Sequence, residues 1–380
     1  LRDRLIALRR SIHREPELAF QEERTARKLE RALVDSGVPD VRRVAGTAVI
    51  GRIPGRDRQA PTTAIRGDID ALPIAEDTGL PFASETPGVM HACGHDVHAT
   101  WAVGAAALLA TEPARGDTII VLQPAEEIGR GAAAVLETGA LDGVSAIFGA
   151  HVDRRFEVGQ IVADAGPLAA SADTFEIEVV GQGAHAARPH EARDPIVAAA
   201  ALVSAIQTIV ARKLNPATPG VVTVGTISAG SASNVIPDRA RLSGTIRAVD
   251  PASRRLMIDE LTHLARSIGA AHRVEIHVVI PEGTPPLVNS EAAVAWSREA
   301  VARVLGERAL VPLGFLNLAG EDFAFYLERM PGCFLRIGAR EPGGAPIPAH
   351  SPKFYAAEES IVIGASVLAE CARVAALRQA

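Results

Sequence analysis

At 380 residues the chain exceeds what one hydrophobic core usually organises, and an apolar content of 48% suffices for two. A net charge of -6 with scattered basic residues offers no cationic stripe for a phosphate backbone, which argues against nucleic acid as a partner. Apolar runs such as Val197 to Ile206 are shorter than a membrane span, and three widely spaced cysteines (Cys93, Cys333, Cys371) argue against a disulfide framework and for a reducing, cytoplasmic compartment.

In chain order, a charged amphipathic stretch, LRDRLIALRRSIHREPELAFQEERTARKLERALVDSG, predicts helix. Short apolar runs bounded by turns follow: TAVIGRI, TTAIRGD, TIIVLQP and VSAIFGAHV, with the helix-like VHATWAVGAAALLA among them. Such alternation predicts an α/β fold, a mostly parallel sheet covered by helices. Asp68 closes one run, Glu126 and Glu127 follow another, and His151 ends a third. In open parallel sheets ligands bind beyond the carboxyl ends of the strands, so these polar groups are expected to converge there. From residue 169 to 280 the pattern becomes β-α-β-β-α-β, the split unit of a ferredoxin-like α+β domain. The expected organisation is a discontinuous larger domain, 1–168 and 281–380, with this smaller domain inserted and a closing helix near the C-terminal end.

The segment MHACGHDVHAT, 90 to 100, concentrates three of the eleven histidines and one of the three cysteines. Cys93, His95, Glu127, His151 and His350 offer thiolate, imidazole and carboxylate donors of the kind that divalent metals accept. Singly each has an ordinary alternative: a buried core thiol, a solvated surface carboxylate, a satisfied structural histidine. Together they exceed what one catalytic metal takes from protein, which favours two metals sharing a bridging ligand.

RGDIDALPI (66 to 74), MHACGHDVHAT, QPAEE (123 to 127), GAHV (149 to 152), GQGAHAARPH (181 to 190), NVIPD (234 to 238), GTIR (244 to 247), GEDFAFYL (320 to 327) and AHSPKF (349 to 354) resemble, in order, motifs of the dinuclear-metal aminoacylases and carboxypeptidases. The subgroup resembled is that of hippurate hydrolases and plant auxin-amino-acid conjugate hydrolases, and the likeness spans nearly the whole chain. It implies that Cys93, His95, Glu127, His151 and His350 are metal ligands, Glu126 the general base and Asp68 an orienting acid. Other branches carry histidine where this chain has Arg66, and the thiolate of CGH would supply the missing coordination. Two divalent ions per subunit are implied, zinc or manganese, with cobalt and nickel also compatible with the donors.

The implied reaction is amide hydrolysis of a small N-acyl amino acid, with Glu126 taking a proton from water and passing it to the departing amine. Arg247 and Asn234 suit a substrate carboxylate, and the resemblance implies that His185 binds the developing oxyanion in the neighbouring subunit of a homodimer paired through the inserted lid domain. His98 is expected to be a buried partner, Glu321 and Asp322 either near the site or a helix-start pair, and His190 to orient the loop of His185; His13, His263, His272 and His277 carry no argument for chemistry. A dipeptidase or carboxypeptidase is the nearest alternative, and a metal-retaining binding protein the one from another class.

Overall fold

The computed structural model describes residues 1–379, which form two compact units. The larger comprises Leu1–Gly166, Asn289–Phe315 and the chain from Asp322 onward; the smaller comprises Pro167–Val288 and Leu316–Glu321.

The larger unit is built on a seven-stranded sheet ordered Asp40–Val44, Ala48–Ile53, Thr118–Gln123, Thr62–Asp68, Val144–Glu157, Gly332–Arg340 and Ile161–Val162. Its four central strands from Thr118–Gln123 to Gly332–Arg340 are parallel, and antiparallel strands close both edges. The strands Thr62–Asp68, Thr118–Gln123 and Gly332–Arg340 are buried almost throughout, as in a parallel sheet covered on both faces. Helix His95–Thr111 and helix Glu359–Arg378 pack together over the sheet, and Trp101, fully buried between them, donates from Nε1 to the Ser360 carbonyl at 3.0 Å. Gly67 allows the close approach on which the site depends: a Cβ there would lie 2.5 Å from the His98 carbonyl oxygen.

Three local expectations need correction. The N-terminal stretch is two helices, Arg2–Arg14 and Glu23–Asp35, because Pro16 drives the preceding residue out of helical conformation. The strand bearing His151 does not end there but runs to Glu157, since residues 153 and 157 still pair with Gly338 and Arg340. The apolar run from Val197 belongs to a continuous helical segment, Pro195–Lys213, that with Glu359–Arg378 is long and apolar enough to cross a membrane by length and composition alone. In the second of these 67% of the apolar window is buried, as in a core helix, against 33% in the first.

The smaller unit is an antiparallel four-stranded sheet ordered Gly220–Ala229, Arg239–Ala248, Asp173–Val180 and Glu275–Val279, carrying helices Pro195–Thr208 and Pro251–His272. Strict alternation along Asp173–Val180 turns Phe175, Ile177 and Val179 into the core beneath the helices. Both helices open with an aspartate cap followed by proline: Asp194 accepts from the Ile196 N–H and Asp250 from that of Ser253.

Candidate metal centre

The donor residues of the larger unit stand on loops, at a helix start and, for His151, within the strand Val144–Glu157. Asp68 ends its strand, while Cys93 and Gly94 form the turn into the helix that His95 begins. Gly94 has φ of 90°, and a Cβ there would sit 2.4 Å from Val152, so a side chain is barred on both counts. Glu126 and Glu127 follow the strand Thr118–Gln123 through Ala125, which has φ of 56°. His350, also left-handed at φ of 66°, is anchored by its N–H to the Ala92 carbonyl at 2.8 Å.

Cys93 Sγ lies 3.2 Å from His151 Nε2, and His151 Nδ1 donates to the Val152 carbonyl at 2.6 Å, leaving the Nε2 lone pair directed at the thiol. His95 Nδ1 donates to the Asp70 carbonyl and carboxylate, at 2.9 and 3.1 Å, which turns its Nε2 inward. That nitrogen is 3.8 Å from Glu127 Oε1 and 3.9 Å from Glu126 Oε2; His350 Nε2 is 3.4 Å from the same Glu127 oxygen. Ligand atoms of Cys93, His95 and His151 all fall within 4.8 Å of one another, as do those of Cys93, Glu127 and His350, and those of His95, Glu126 and Glu127. Cys93 is thus common to two triads. His95 Nε2 and Glu127 Oε1 are buried without a hydrogen-bond partner, a costly arrangement that a cation would relieve. Sulfur, imidazole and carboxylate donors with orphaned lone pairs fit a divalent metal.

Around the donors runs a buried polar network. Asp68 accepts from His98 Nδ1 at 2.7 Å, and His98 Nε2 accepts the Val152 N–H at 2.9 Å, which fixes the His98 tautomer. Arg66 donates to Asp68 at 2.5 Å, to Gln123 Oε1 at 2.9 Å and to Asp322 at 2.9 Å. Asp322 also receives Gln123 Nε2 and the N–H of Ala132, and its own N–H points at Glu126 Oε1 at 3.4 Å. Asp322 is therefore a fully buried acceptor beside the site that pairs with Arg66 and also takes the Ala132 N–H in the first turn of helix Gly131–Glu137. His98 is the buried partner expected of it.

The charges follow from these contacts. Burial opposes the Asp68 carboxylate, but Arg66 and the nearby histidines hold it well below the usual range. Burial also opposes a charged His95, yet Asp68 and the Asp70 bond push it well above the ordinary imidazole value. For His151, burial, His98 and Arg336 all act downward, which keeps the ring neutral; for Cys93, burial and Glu127 push the thiol well up. The Glu127 carboxylate, 3.4 Å from its Nε2, raises His350 against partial burial.

In the smaller unit, His185 and Asn234 are adjacent. Ala184–His185 pairs with Val235–Ile236, the Ala186 N–H donates to the Asn234 carbonyl at 3.0 Å, and both side chains are exposed. Arg247, half-buried, lies on Arg239–Ala248 opposite Val221. His190 is exposed and 3.9 Å from Glu191; the loop is held instead by the Arg188 N–H on the His185 carbonyl at 2.7 Å.

Sequence reasoning missed Asp70 and Gln123 altogether. Asp70 could have been found from its place two residues beyond Asp68 in RGDIDALPI; nothing local marks Gln123.

A family model described as Peptidase family M20/M25/M40 matches residues 64–374. The chain is 40% identical over 375 residues to N-acetyl-L-cysteine deacetylase of Bacillus subtilis (strain 168), covering 98% of this chain and 88% of that protein. It is 37% identical over 377 residues to IAA-amino acid hydrolase ILR1-like 5 of Arabidopsis thaliana, covering 97% and 86%. The crystal structure of Bacillus subtilis YXEP, described as a dinuclear metal binding peptidase from the M20 family, superimposes with a TM-score of 0.87 at 37% identity, covering 98% of both chains.

Proposed function

We propose, since this chain belongs to peptidase family M20/M25/M40, that it is a metal-dependent amidohydrolase cleaving the amide bond of N-acyl amino acids. The observation that carries this is the sharing of Cys93 between two donor triads with Glu126, a carboxylate outside both, at their edge. Relatives named for an N-acetyl and an indole-acetyl amino acid substrate support the acyl class.

In this assignment Cys93, His95, Glu127, His151 and His350 hold two divalent cations, manganese or zinc, with cobalt or nickel as further candidates. Bound there, the cations polarise the scissile carbonyl and make water acidic enough to be deprotonated near neutral pH. Glu126 takes the proton of the attacking water on its carboxylate and delivers it to the departing nitrogen. Asp68 orients the interior by holding His98 and Arg66 in one arrangement. Arg247 and Asn234 bind the substrate carboxylate, and His185 stabilises the developing oxyanion from the neighbouring copy of a homodimer. Pairing through the smaller unit is supported by its exposed edge strand Gly220–Ala229 and by Ile196, Val197 and Ile227, which stay 42%, 52% and 55% exposed. Three free cysteines, all buried, support a reducing, cytoplasmic setting.

The test is turnover of N-acetyl, N-benzoyl and indole-acetyl amino acids by protein stripped of metal and then reloaded with manganese or zinc. Hydrolysis that returns with metal is expected, and Glu126→Gln should keep its metal yet lose kcat by at least about a hundredfold. Inactivity toward the whole panel at full metal occupancy would favour a binding protein.

A further inference from the structure

Glu22 stands at the entrance of helix Glu23–Asp35, where a carboxylate ordinarily serves the helix's own free N–H groups. Glu17 does that here, accepting from the N–H of Arg24 at 2.9 Å and of Thr25 at 2.8 Å. The Glu22 side chain turns inward instead and is fully buried. One oxygen accepts the Thr47 hydroxyl at 2.6 Å; the other accepts the Ala125 N–H at 3.1 Å, from a residue 103 positions away.

Ala125 immediately precedes Glu126 and is the left-handed joint of its loop. A residue with a Cβ holds that conformation only where its surroundings over-determine it. The surroundings are on view: the Ala125 carbonyl accepts the N–H of Arg130 at 3.2 Å and of Gly131 at 3.1 Å, and Glu22 secures its N–H. Without Glu22 that buried donor has lost its acceptor, and the joint its fixed direction.

We infer that Glu22 is a positioning residue for the general base: it pins the left-handed Ala125 and so aims Glu126, acting through the backbone rather than on the reacting atoms. This role presupposes the assignment of Glu126 above, and two independent readouts keep them apart. In the full-length, metal-loaded protein, kcat, KM and metal content are measured for an N-acetyl amino acid, and amide deuterium uptake is followed over residues 124–131. Glu22→Ala, and Glu22→Met, which fills the volume without an acceptor, should lower kcat by about ten- to a hundredfold with KM and metal content little changed, and residues 124–131 should exchange faster. Glu22→Gln, whose amide oxygen can still accept from Ala125, should restore both. Thr47→Val removes the other bond of the same carboxylate and should leave both near wild type even where it lowers the melting temperature. Unchanged kcat and exchange in Glu22→Met, or equal losses in Thr47→Val, would overturn the role. Should Glu126→Gln retain turnover, the base lies elsewhere, while the exchange comparison still decides whether Glu22 pins the loop.

Discussion

Cys93 joins two demands in one side chain. Burial keeps it a thiol, whereas the proposed metal role needs the thiolate, so in that role loading would expel a proton and weaken as pH falls. Cys93→Ala is expected to lose bound metal as well as activity, read by elemental analysis after gel filtration; full occupancy in that variant would make Cys93 a core thiol only. The clustering of these side chains was legible, because CGH leading into a helix and EE following a strand put unusual residue types at special places in a parallel sheet. Their supports were not. Gln123 reads as the last residue of an apolar strand, and Glu22 as one more charge in a charged segment, since each acquires its meaning from a residue far away in the chain.

At the level of elements, the N-terminal helix is bound to the helix that begins at His95 by a buried ion cluster. Arg9 donates to Asp96 at 2.7 Å, His13 Nδ1 to the same oxygen at 2.8 Å, and His13 Nε2 reaches Glu76 at 3.2 Å. Asp96→Asn should destabilise the metal-free protein by roughly 3–5 kcal/mol, because Arg9 would be left as a buried charge without its closest partner. The lower end is expected, since Glu358 stands 3.6 Å from Arg9. Urea denaturation measures it, and a loss below about 1 kcal/mol would mean that the cluster is dispensable. Its pH dependence has two limbs. Burial opposes the Asp96 charge, but Arg9 and His13 lower its pKa, so its contribution is present above the ordinary carboxylate range and fades as pH falls toward the folded value. Burial opposes the His13 charge too, but Asp96 and Glu76 raise it, so that contribution is present below the ordinary imidazole value and is lost as pH climbs through the raised one. His13 carried no signal in the sequence. Nor did the edge strand Asp40–Val44, whose DVRRV carries charge on both faces, Asp40 and Arg42 on one and Arg43 on the other, and lacks the apolar run by which strands such as Thr118–Gln123 were recognised.

For the whole molecule, the proposed exchange of His185 between copies makes a quantitative demand. Glu126→Gln and His185→Ala should each be nearly inactive alone. Co-expressed, they should form heterodimers in which one of two sites has both native residues, giving about a quarter of wild-type activity for random pairing. Heterodimers no more active than the separate variants would place His185 in its own subunit's chemistry. The alternation of patterns along the chain revealed the α/β class and the β-α-β-β-α-β unit because each rests on local periodicity. The helical segment Pro195–Lys213 was legible for the same reason, since isolated polar residues such as Ser204 and Gln207 punctuate DPIVAAAALVSAIQTIVARKL without breaking its helical spacing.

The pairing of Gly332–Arg340 with Val144–Glu157 also dictates an order of events during synthesis. When the ribosome has made the first of these neighbours, roughly 175 residues must still be translated before the other exists, about 10–35 s at 5–20 residues per second. Through that interval Val144–Glu157, the most apolar part of which will lie at the heart of the finished sheet, is an open border presenting unpaired N–H and carbonyl groups. The Pro167–Val288 part of the smaller unit can fold meanwhile from contiguous chain, so its helices and antiparallel ladder form while the nascent parallel sheet still waits for its missing strand. Until Gly332–Arg340 arrives, that border is open to pairing with other nascent chains.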